Sequence, residues 1–319
     1  MLLDFSDKEE IDKIKKFLQD STFSNIFQSF EWAKVKSNWD LNVFYKKNDD
    51  EIIGVIFVIS VFNKEHGKKL FYAPRGPVCD IRDIELVKSL VDEVSEFAKN
   101  NDAFKLVIDP EVKYDEELVE LYEKAGMRFL SKNEEKPIQA PYSAILDIDG
   151  REFEEVRKNF SKSTRRIVNK VYREDFNLYI SDKREDIKTF HKLMHIMSHN
   201  KNINTRTLDY LYRLYDQFKD VSRITFVEYE GEFIACSWMI IHKDTAFAIY
   251  GADPLFHKLN QSYFLNSEEI RYCCENNIRY YDMGGVFNID MSDGLYNFKR
   301  RFTEDRMIKW IGEIVINFE

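Results

Sequence analysis

The stretch ITFVEYEGEFIACSWMII, residues 224–241, indicates the fold of the second half of the chain. β-Branched and aromatic residues lie on both sides of Glu230-Gly231-Glu232, a pattern typical of two strands joined by a tight turn. A strand, a helix and a short strand ending at Asp282 are predicted next, over Ala246–Tyr250, Ser262–Glu275 and Arg279–Tyr281. This order of elements predicts an α/β unit.

The first half of the chain repeats that order. A hairpin around Asn48-Asp49-Asp50 precedes a strand, a helix and a buried strand that ends at Asp109, over Leu70–Tyr72, Asp83–Lys99 and Phe104–Ile108. Tyr72 and Tyr250 lie 178 residues apart, and Asp109 and Asp282 lie 173 apart. Near-equal offsets over one element order predict two related α/β units, at residues 1–150 and 151–319.

Composition narrows the class of protein. Of 319 residues, 44% are hydrophobic and 15% aromatic, which indicates a folded globule. The longest apolar run, residues 52–62, is too short to cross a bilayer, and the acidic start does not resemble a signal peptide. Four cysteines without CxxC spacing favour a reducing compartment, so we expect a cytoplasmic protein.

Basic residues are concentrated in two places although the net charge is −9. A helix predicted over residues 157–173 carries cations on one face and apolar residues on the other; the cations are Lys158, Lys162, Arg165, Arg166, Lys170 and Arg173. A second cluster comprises Lys299, Arg300, Arg301, Arg306 and Lys309. Both a solvated basic face and a phosphate or RNA contact fit this pattern, while the acidic total argues against a general nucleic-acid binder and against DNA.

Six short segments stand out along the chain: Gln28–Lys36 (Q-S-x-x-W-x-x-x-K), Tyr72–Pro77 (Y-x-P-R-G-P), Arg206–Tyr210 (R-x-x-x-Y), Tyr250–Ala252 (Y-G-A), Tyr281–Gly285 (Y-D-x-G-G) and Gly294–Phe302 (G-L-Y-x-F-K-x-x-F). In these segments and in their order, the chain resembles the FemABX family of non-ribosomal peptidyltransferases, and specifically its short FemX-like type. Two departures stand out. No coiled-coil arm fits between Tyr210 and Ile224, and Thr303 stands where the family usually has glycine.

The resemblance implies a fold of two GNAT-like domains in tandem. It also implies transfer of an amino acid from aminoacyl-tRNA to the stem-peptide amine of a peptidoglycan precursor, either UDP-MurNAc-pentapeptide or lipid II. The first domain would bind the precursor, and the second would perform the transfer and contact tRNA through the basic helix. No metal or cofactor is expected, the protein is expected to be a monomer, and peripheral contact with the inner membrane face stays open.

The family pattern, and for Asp109 the local sequence alone, assign roles to individual residues. Lys299 is the candidate cation for the oxyanion of the tetrahedral intermediate, because charge develops on the ester carbonyl oxygen during transfer. Asp109, at a strand end before Pro110, is either a base for the acceptor amine or a turn-forming carboxylate. The candidate precursor ligands are Lys36, Arg75, Arg206, Tyr210 and Tyr250. Because Lys36 and Arg206 lie in different halves, a ligand held by both would contact both units.

Two other chemistries are weighed against this interpretation. His191, His195 and His199 share one helix face, and two histidines spaced in this way can bind zinc. A third ligand would have to come from elsewhere in the chain, so a polar stripe is favoured over a zinc site. An acyl-CoA N-acyltransferase would carry a glycine-rich turn for the pyrophosphate, and Phe256–Ser262, the corresponding stretch, contains no glycine. The remaining alternative is a protein that binds tRNA or precursor without catalysis.

Overall fold

The structure is a computed structural model that describes residues 1–131, 135–254, 259–304 and 306–318. The chain forms two compact units. The first comprises Met1–Pro141 together with Lys309–Glu319, and the second comprises Tyr142–Ile308.

The elements follow the chain in this order. Before residue 141 they are α1 (Lys8–Asp20), α2 (Phe30–Val35), β1 (Asp40–Asn48), β2 (Glu51–Asn63), β3 (Lys68–Arg75), β4 (Val78–Cys79), α3 (Ile84–Asn100), β5 (Ala103–Pro110) and α4 (Glu116–Lys124). Then come β6 (Tyr142–Asp147), α5 (Phe153–Lys158), α6 (Lys162–Val171), β7 (Asn177–Ser181), α7 (Asp186–Lys201), α8 (Leu208–Phe218) and a 3-10 turn (Lys219–Val221). The last are β8 (Ser222–Tyr229), β9 (Glu232–His242), β10 (Thr245–Ala252), α9 (Gln261–Glu275), β11 (Tyr280–Val286), α10 (Gly294–Arg300), β12 (Ile308–Lys309) and β13 (Ile314–Asn317).

The first unit is built on a mixed sheet of order β1-β2-β3-β5-β13, with β4 paired to β2. Neighbouring strands are antiparallel except β3 and β5, which α3 connects. Helix α3 begins at Asp83, whose carboxylate accepts the Leu86 N–H, and it buries an apolar stripe of Val87, Leu90, Val91, Val94 and Ala98. This stripe packs with Ile56, Leu106 and Ile108 of the sheet in the core of the unit.

The second unit repeats the arrangement in a sheet of order β12-β6-β11-β10-β9-β8-β7. Here β10 and β11 are the parallel neighbours, and α9 connects them. In each sheet an aspartate on the later parallel strand pairs with a residue 35 positions earlier: Asp109 with Pro74, and Asp282 with Phe247. The predicted equivalence of these two aspartates is therefore confirmed.

Tyr72 and Tyr250 do not occupy equivalent positions. Tyr72 pairs with Val107 inside the parallel ladder of the first unit. Tyr250 lies on β10 beyond Phe247, the last residue that pairs with β11, and after a register irregularity that follows Ala248. The predicted correspondence of these two tyrosines is therefore wrong, because they occupy different positions in the two sheets.

One strand of each sheet comes from an unexpected part of the chain. Strand β6 is the next strand after β5 in the chain, but it pairs antiparallel with β11 in the second sheet. Strand β13 instead pairs antiparallel with β5 in the first sheet. The side chains of Ile314 and Val315 on β13 are buried in the first unit. The structure thus differs from the expected division at residue 150. Because β6 pairs with β11, residues 142–150 belong to the second unit, and because β13 pairs with β5, residues 309–319 belong to the first.

The basic segment at residues 157–173 is two helices, so the prediction of one continuous helix is wrong. Helix α5 ends at Lys158, and α6 begins after Ser161, whose hydroxyl accepts the Thr164 N–H as an N-cap. Phe160 lies between them and is buried against Phe302 at 5.0 Å between ring centroids. Burial of this ring supplies the apolar contact that holds the break in place.

Candidate active site

In the first unit, a buried glutamine holds the turn at residues 74–77. The Gln28 carboxamide donates to the carbonyl oxygens of Pro74 at 2.7 Å and Phe57 at 3.1 Å, and it accepts the Phe57 N–H at 2.8 Å. A Cβ atom at Gly76 would lie only 2.8 Å from this carboxamide, so glycine is required there. The first two motifs of the sequence therefore form one structure.

Arg75 lies at the C-terminal end of β3, beside Asp109 at the end of the parallel strand β5. Its backbone has a left-handed φ of 58°, and its N–H donates to Asp109 Oδ1 at 2.8 Å. Its guanidinium lies 3.6 Å from Asp109 Oδ2 and 5.4 Å from the centroid of the Trp310 ring. Burial raises the pKa of Asp109 to about 6, although the Arg75 cation opposes that shift.

Two residues near this pair, Gln139 and Glu313, were missed by the sequence analysis. Glu313 accepts the Gln139 backbone N–H at 2.8 Å, and the Gln139 side chain donates to the Tyr72 hydroxyl at 2.9 Å. Burial raises the pKa of Glu313 to about 7, and the Asp109 charge adds to the shift. The one signal in the sequence was an acidic residue inside the apolar run Ile311–Ile316.

Lys36 belongs to the same unit and caps the C-terminus of α2. Ser29 starts this helix by accepting the Trp32 N–H, and Lys36 closes it by donating its own N–H to Trp32 O. The Lys36 ammonium lies 5.6 Å from the centroid of the Trp32 ring, and the side chain is partly exposed.

In the second unit, Lys299 extends from α10 to the end of β11. Its ammonium donates to Gly285 O at 3.1 Å, and a Cβ atom at Gly284 would lie 3.4 Å from it. Gly284 has φ 85°, so this turn requires glycine for its conformation. Burial lowers the pKa of Lys299 to about 8, although Asp282 and Asp293 favour the charged form. The last two motifs of the sequence meet here.

Arg206, Tyr210 and Tyr250 form a second polar cluster in this unit. The Arg206 Nε donates to the Tyr250 hydroxyl at 3.1 Å, and the two tyrosine hydroxyls lie 3.3 Å apart. The Arg206 guanidinium also lies 5.1 Å from the centroid of the Tyr210 ring. Because burial raises the pKa of Tyr210, its hydroxyl stays protonated and can donate. This arrangement of cation and hydroxyl donors suits an anionic ligand.

The basic residues of α5, α6 and α10 form one surface. Five of them, Arg157, Lys158, Lys162, Arg165 and Arg166, line a depression together with Asn169. An adjoining depression is lined by Asn159, Ser161, Arg300, Arg301 and Glu304. The Ser161 N–H donates to Arg301 O at 3.0 Å and so joins the two depressions. Lys170 is exposed at the far end of α6, 3.9 Å from Glu174. We call this set of cations the basic surface.

The sequence-predicted site residues therefore divide between the units. Lys36, Arg75 and Asp109 lie in the first, and Lys299, Arg206, Tyr210, Tyr250 and the basic surface lie in the second. Contact brings Arg75 together with Asp109 in the first unit, and Arg206 together with Tyr210 and Tyr250 in the second. A ligand that contacts both units stays a prediction.

The sequence predicted no glycine-rich turn, no metal site and no membrane-spanning segment, and the structure bears on these points only within its described residues. Residues 256–258 of the stretch without glycine lie outside the described ranges. Among the described residues, no three His, Cys, Asp or Glu side chains gather as a metal site, and no helix is long and apolar enough to cross a membrane. Thr303, at the position of the expected glycine, is buried, and its hydroxyl donates to Arg306 O at 3.1 Å.

Comparison with known proteins identifies the family. A model of the FemAB family matches residues 10–232 and 227–318. The chain belongs to the FemAB family. A relative from Weissella viridescens, named UDP-N-acetylmuramoylpentapeptide-lysine N(6)-alanyltransferase, is 26% identical and covers 98% of this chain and 95% of its own length. A Staphylococcus aureus relative, named lipid II:glycine glycyltransferase, is 27% identical over 63% of this chain and 49% of its own length.

Solved structures confirm the fold expected of a FemAB protein. The crystal structure of FemX superposes with a TM-score of 0.83 at 19% identity, covering 100% of this chain and 97% of FemX. A tandem GNAT protein from the clavulanic acid biosynthesis pathway gives a TM-score of 0.61 at 10% identity, covering 99% and 97%. The fold is therefore α/β, with two GNAT-like domains in tandem. In the described residues, α8 is linked to β8 only by the 3-10 turn, and no coiled-coil arm intervenes.

Proposed function

We propose that this FemAB protein transfers an aminoacyl group from aminoacyl-tRNA to an amine of the stem peptide in a peptidoglycan precursor. The observation that carries the proposal is the Lys299 ammonium, which is partly buried at the end of β11, where it donates to Gly285 O and desolvation lowers its pKa. Desolvation of a cation is unfavourable for folding, so its presence calls for a functional reason. The near full-length similarity to a relative named for alanyl transfer to the lysine of UDP-N-acetylmuramoylpentapeptide supports the choice of substrates.

In the proposed reaction, the acceptor amine attacks the carbonyl carbon of the ester that links the amino acid to the tRNA. A C–N bond forms, the C–O bond to the ribose breaks, the amine loses a proton, and the ribose oxygen gains one. Negative charge builds on the carbonyl oxygen in the tetrahedral intermediate, and the Lys299 ammonium stabilises it. With a pKa of about 8, Lys299 is mostly charged at neutral pH, as this role requires.

The precursor carries phosphates and carboxylates, and Lys36, Arg75 and Arg206 are the proposed cations for them. Tyr210 and Tyr250 provide hydroxyl donors beside Arg206. For Asp109 we favour the turn-forming alternative over the base, because both of its oxygens face Arg75 and only 3% of the residue is exposed. Asp109 then acts by positioning Arg75.

The basic surface is the proposed contact for the phosphates of tRNA. Lys158, Lys162, Arg166 and Lys170 are exposed on it, while Arg165 is held by donating to Phe160 O at 2.7 Å. Cations spaced along two short helices can follow a phosphate backbone. We further propose that the protein works as a cytoplasmic monomer. The acceptor is either the soluble or the lipid-linked precursor.

A screen of donors tests the proposal. The protein is mixed in excess with tRNA charged with radiolabelled alanine, serine or glycine, and with UDP-MurNAc-pentapeptide or lipid II. Transfer of label to a precursor with at least one of these donors is the expected result. The contradicting result has two parts: no transfer occurs from any charged tRNA, and acetyl-CoA both stabilises the protein against unfolding and acylates an amine. That result would assign the chain to the acyl-CoA-dependent N-acyltransferases instead.

A further inference from the structure

The loop between β11 and α10 presents apolar side chains to solvent. Ile289, Met291 and Leu295 are 51%, 61% and 53% exposed. The loop is nevertheless ordered by its own hydrogen bonds: Asp293 N–H donates to Asp290 O at 2.9 Å, and the Asn297 side chain donates to Met291 O. Three large apolar side chains exposed within seven residues of one ordered loop make this segment a candidate binding surface. We call these three residues the apolar platform.

The platform and the basic surface lie on either side of Lys299 along the chain. Leu295 precedes Lys299 by four residues, so the two side chains leave α10 on the same face, one turn apart. Arg300 and Arg301 follow Lys299 directly and line the depression at Ser161. A ligand whose reacting group reaches Lys299 therefore has Leu295 one helical turn away and Arg300 and Arg301 next in the chain.

The charges on the loop discriminate among ligands. Asp290 is exposed beside the platform, and its pKa is lowered because its carboxylate accepts the Ser292 N–H. A loop with an ionised carboxylate at its tip is poorly suited to enter an anionic bilayer. A carboxylate does accept hydrogen bonds from the exocyclic amino groups of cytosine and adenine. Apolar side chains, in turn, can cover the faces of these bases.

We propose that the apolar platform binds the unpaired bases at the 3′ end of the RNA donor, which in every tRNA are two cytosines and an adenine. This inference rests on the proposed function, because it assumes an aminoacyl-tRNA donor. The bases lie on Ile289, Met291 and Leu295, the ester bond reaches Lys299, and the phosphates of the acceptor stem lie on the basic surface. Recognition of the bases is thereby separated from recognition of the phosphates.

Two RNA hairpins test this separation. Both have the same stem, and one ends in an unpaired ACCA, whereas the other carries abasic nucleotides at its last three positions and so keeps the phosphates. Wild-type protein is expected to bind the first about tenfold or more tightly than the second, because the abasic end loses the apolar contact between the bases and the platform. Met291→Ser/Leu295→Ser is expected to bind both hairpins as weakly as wild type binds the abasic one. Ile180→Ser, a matched exposed residue on β7, is expected to bind like wild type.

Other results would overturn the proposal in distinguishable ways. A double variant that keeps the wild-type preference for the ACCA end removes the platform from base recognition, while transfer from charged tRNA by the wild type leaves the proposed function standing. Wild-type protein that binds neither hairpin and transfers nothing from charged tRNA removes both. Binding to anionic phospholipid vesicles by wild type but not by the double variant assigns the platform to a membrane surface.

Discussion

Replacing Lys299 by methionine separates the functional from the structural role of this residue. Methionine has nearly the same shape but no charge, so the variant keeps packing and removes the ammonium. An ammonium about 4 Å from an oxyanion contributes about 4 kcal/mol at an effective dielectric constant of 20. Removal of one such group from an oxyanion site lowers kcat by about 10²- to 10³-fold. We expect a loss in that range, with little change in KM for the precursor.

The same change is expected to leave stability equal or higher. A pKa lowered from 10.5 to about 8 corresponds to about 3 kcal/mol of unfavourable free energy at pH 7, at 1.4 kcal/mol per tenfold. The carbonyl of Gly285 loses its donor in the variant, which costs about 1 to 3 kcal/mol. The net expectation is a gain of zero to about 2 kcal/mol in the free energy of unfolding. The cost to wild type is complete below pH 8 and disappears as pH rises toward 10.5, so the gain shrinks over that range.

The assay pairs single-turnover kinetics with urea unfolding at pH 7 and at pH 10. Lys188→Met, an exposed lysine on α7, is the matched control and is expected to change neither property by much. A Lys299→Met protein that retains more than about a tenth of the wild-type rate would refute the oxyanion role. A variant that loses rate and stability together would show that Lys299 supports the fold instead.

Three further predictions follow from the contacts. Gln28→Leu leaves the buried Phe57 N–H and Pro74 O without partners, so we expect the free energy of unfolding to fall by about 2 to 5 kcal/mol in urea titrations, and an unchanged midpoint would contradict the account of the turn. Asp109→Asn keeps an acceptor for the Arg75 N–H, so we expect its transfer rate to stay within about tenfold of wild type. Asp109→Ala removes that acceptor, so we expect a loss of more than about tenfold. Equal, large losses in both variants would make Asp109 the base. Ending the chain at Gly312 removes β13 and uncovers β5, so limited proteolysis is expected to degrade the first unit before the second, and equal resistance of both would contradict the pairing.

Much of the fold could be predicted because its signals are local. The hairpins β1–β2 and β8–β9 carry β-branched and aromatic residues on both sides of their turn residues, and α3 and α9 lie between strands at the predicted places. The exchange of β6 and β13 could not be predicted, because a short apolar strand carries no mark of its distant partner. The break before α6 could have been predicted from Ser161, a residue type that favours the N-cap position. It was missed because cations continue at helical spacing on both sides of Ser161.

The candidate site shows the same division. Family motifs identified Lys299, Arg206 and Tyr250 individually, and spacing placed Asp109 at a strand end. The contacts that give these residues their properties involve distant partners, such as Gln28 with Pro74 and Lys299 with Gly285. Glu313 lay outside every motif, and only burial beside Asp109 makes it notable. Perturbed pKa values depend on such three-dimensional surroundings, which no local pattern encodes.

The central claim is that this chain moves an amino acid from tRNA to a stem-peptide amine. The most direct test incubates wild-type protein with alanyl-, seryl- and glycyl-tRNA in turn and UDP-MurNAc-pentapeptide, and locates the added residue by tandem mass spectrometry. A single amino acid on the side-chain amine of the stem-peptide lysine, absent when that amine is blocked beforehand, is the predicted result. Unmodified precursor with all three donors, with lipid II also unmodified, would contradict the account.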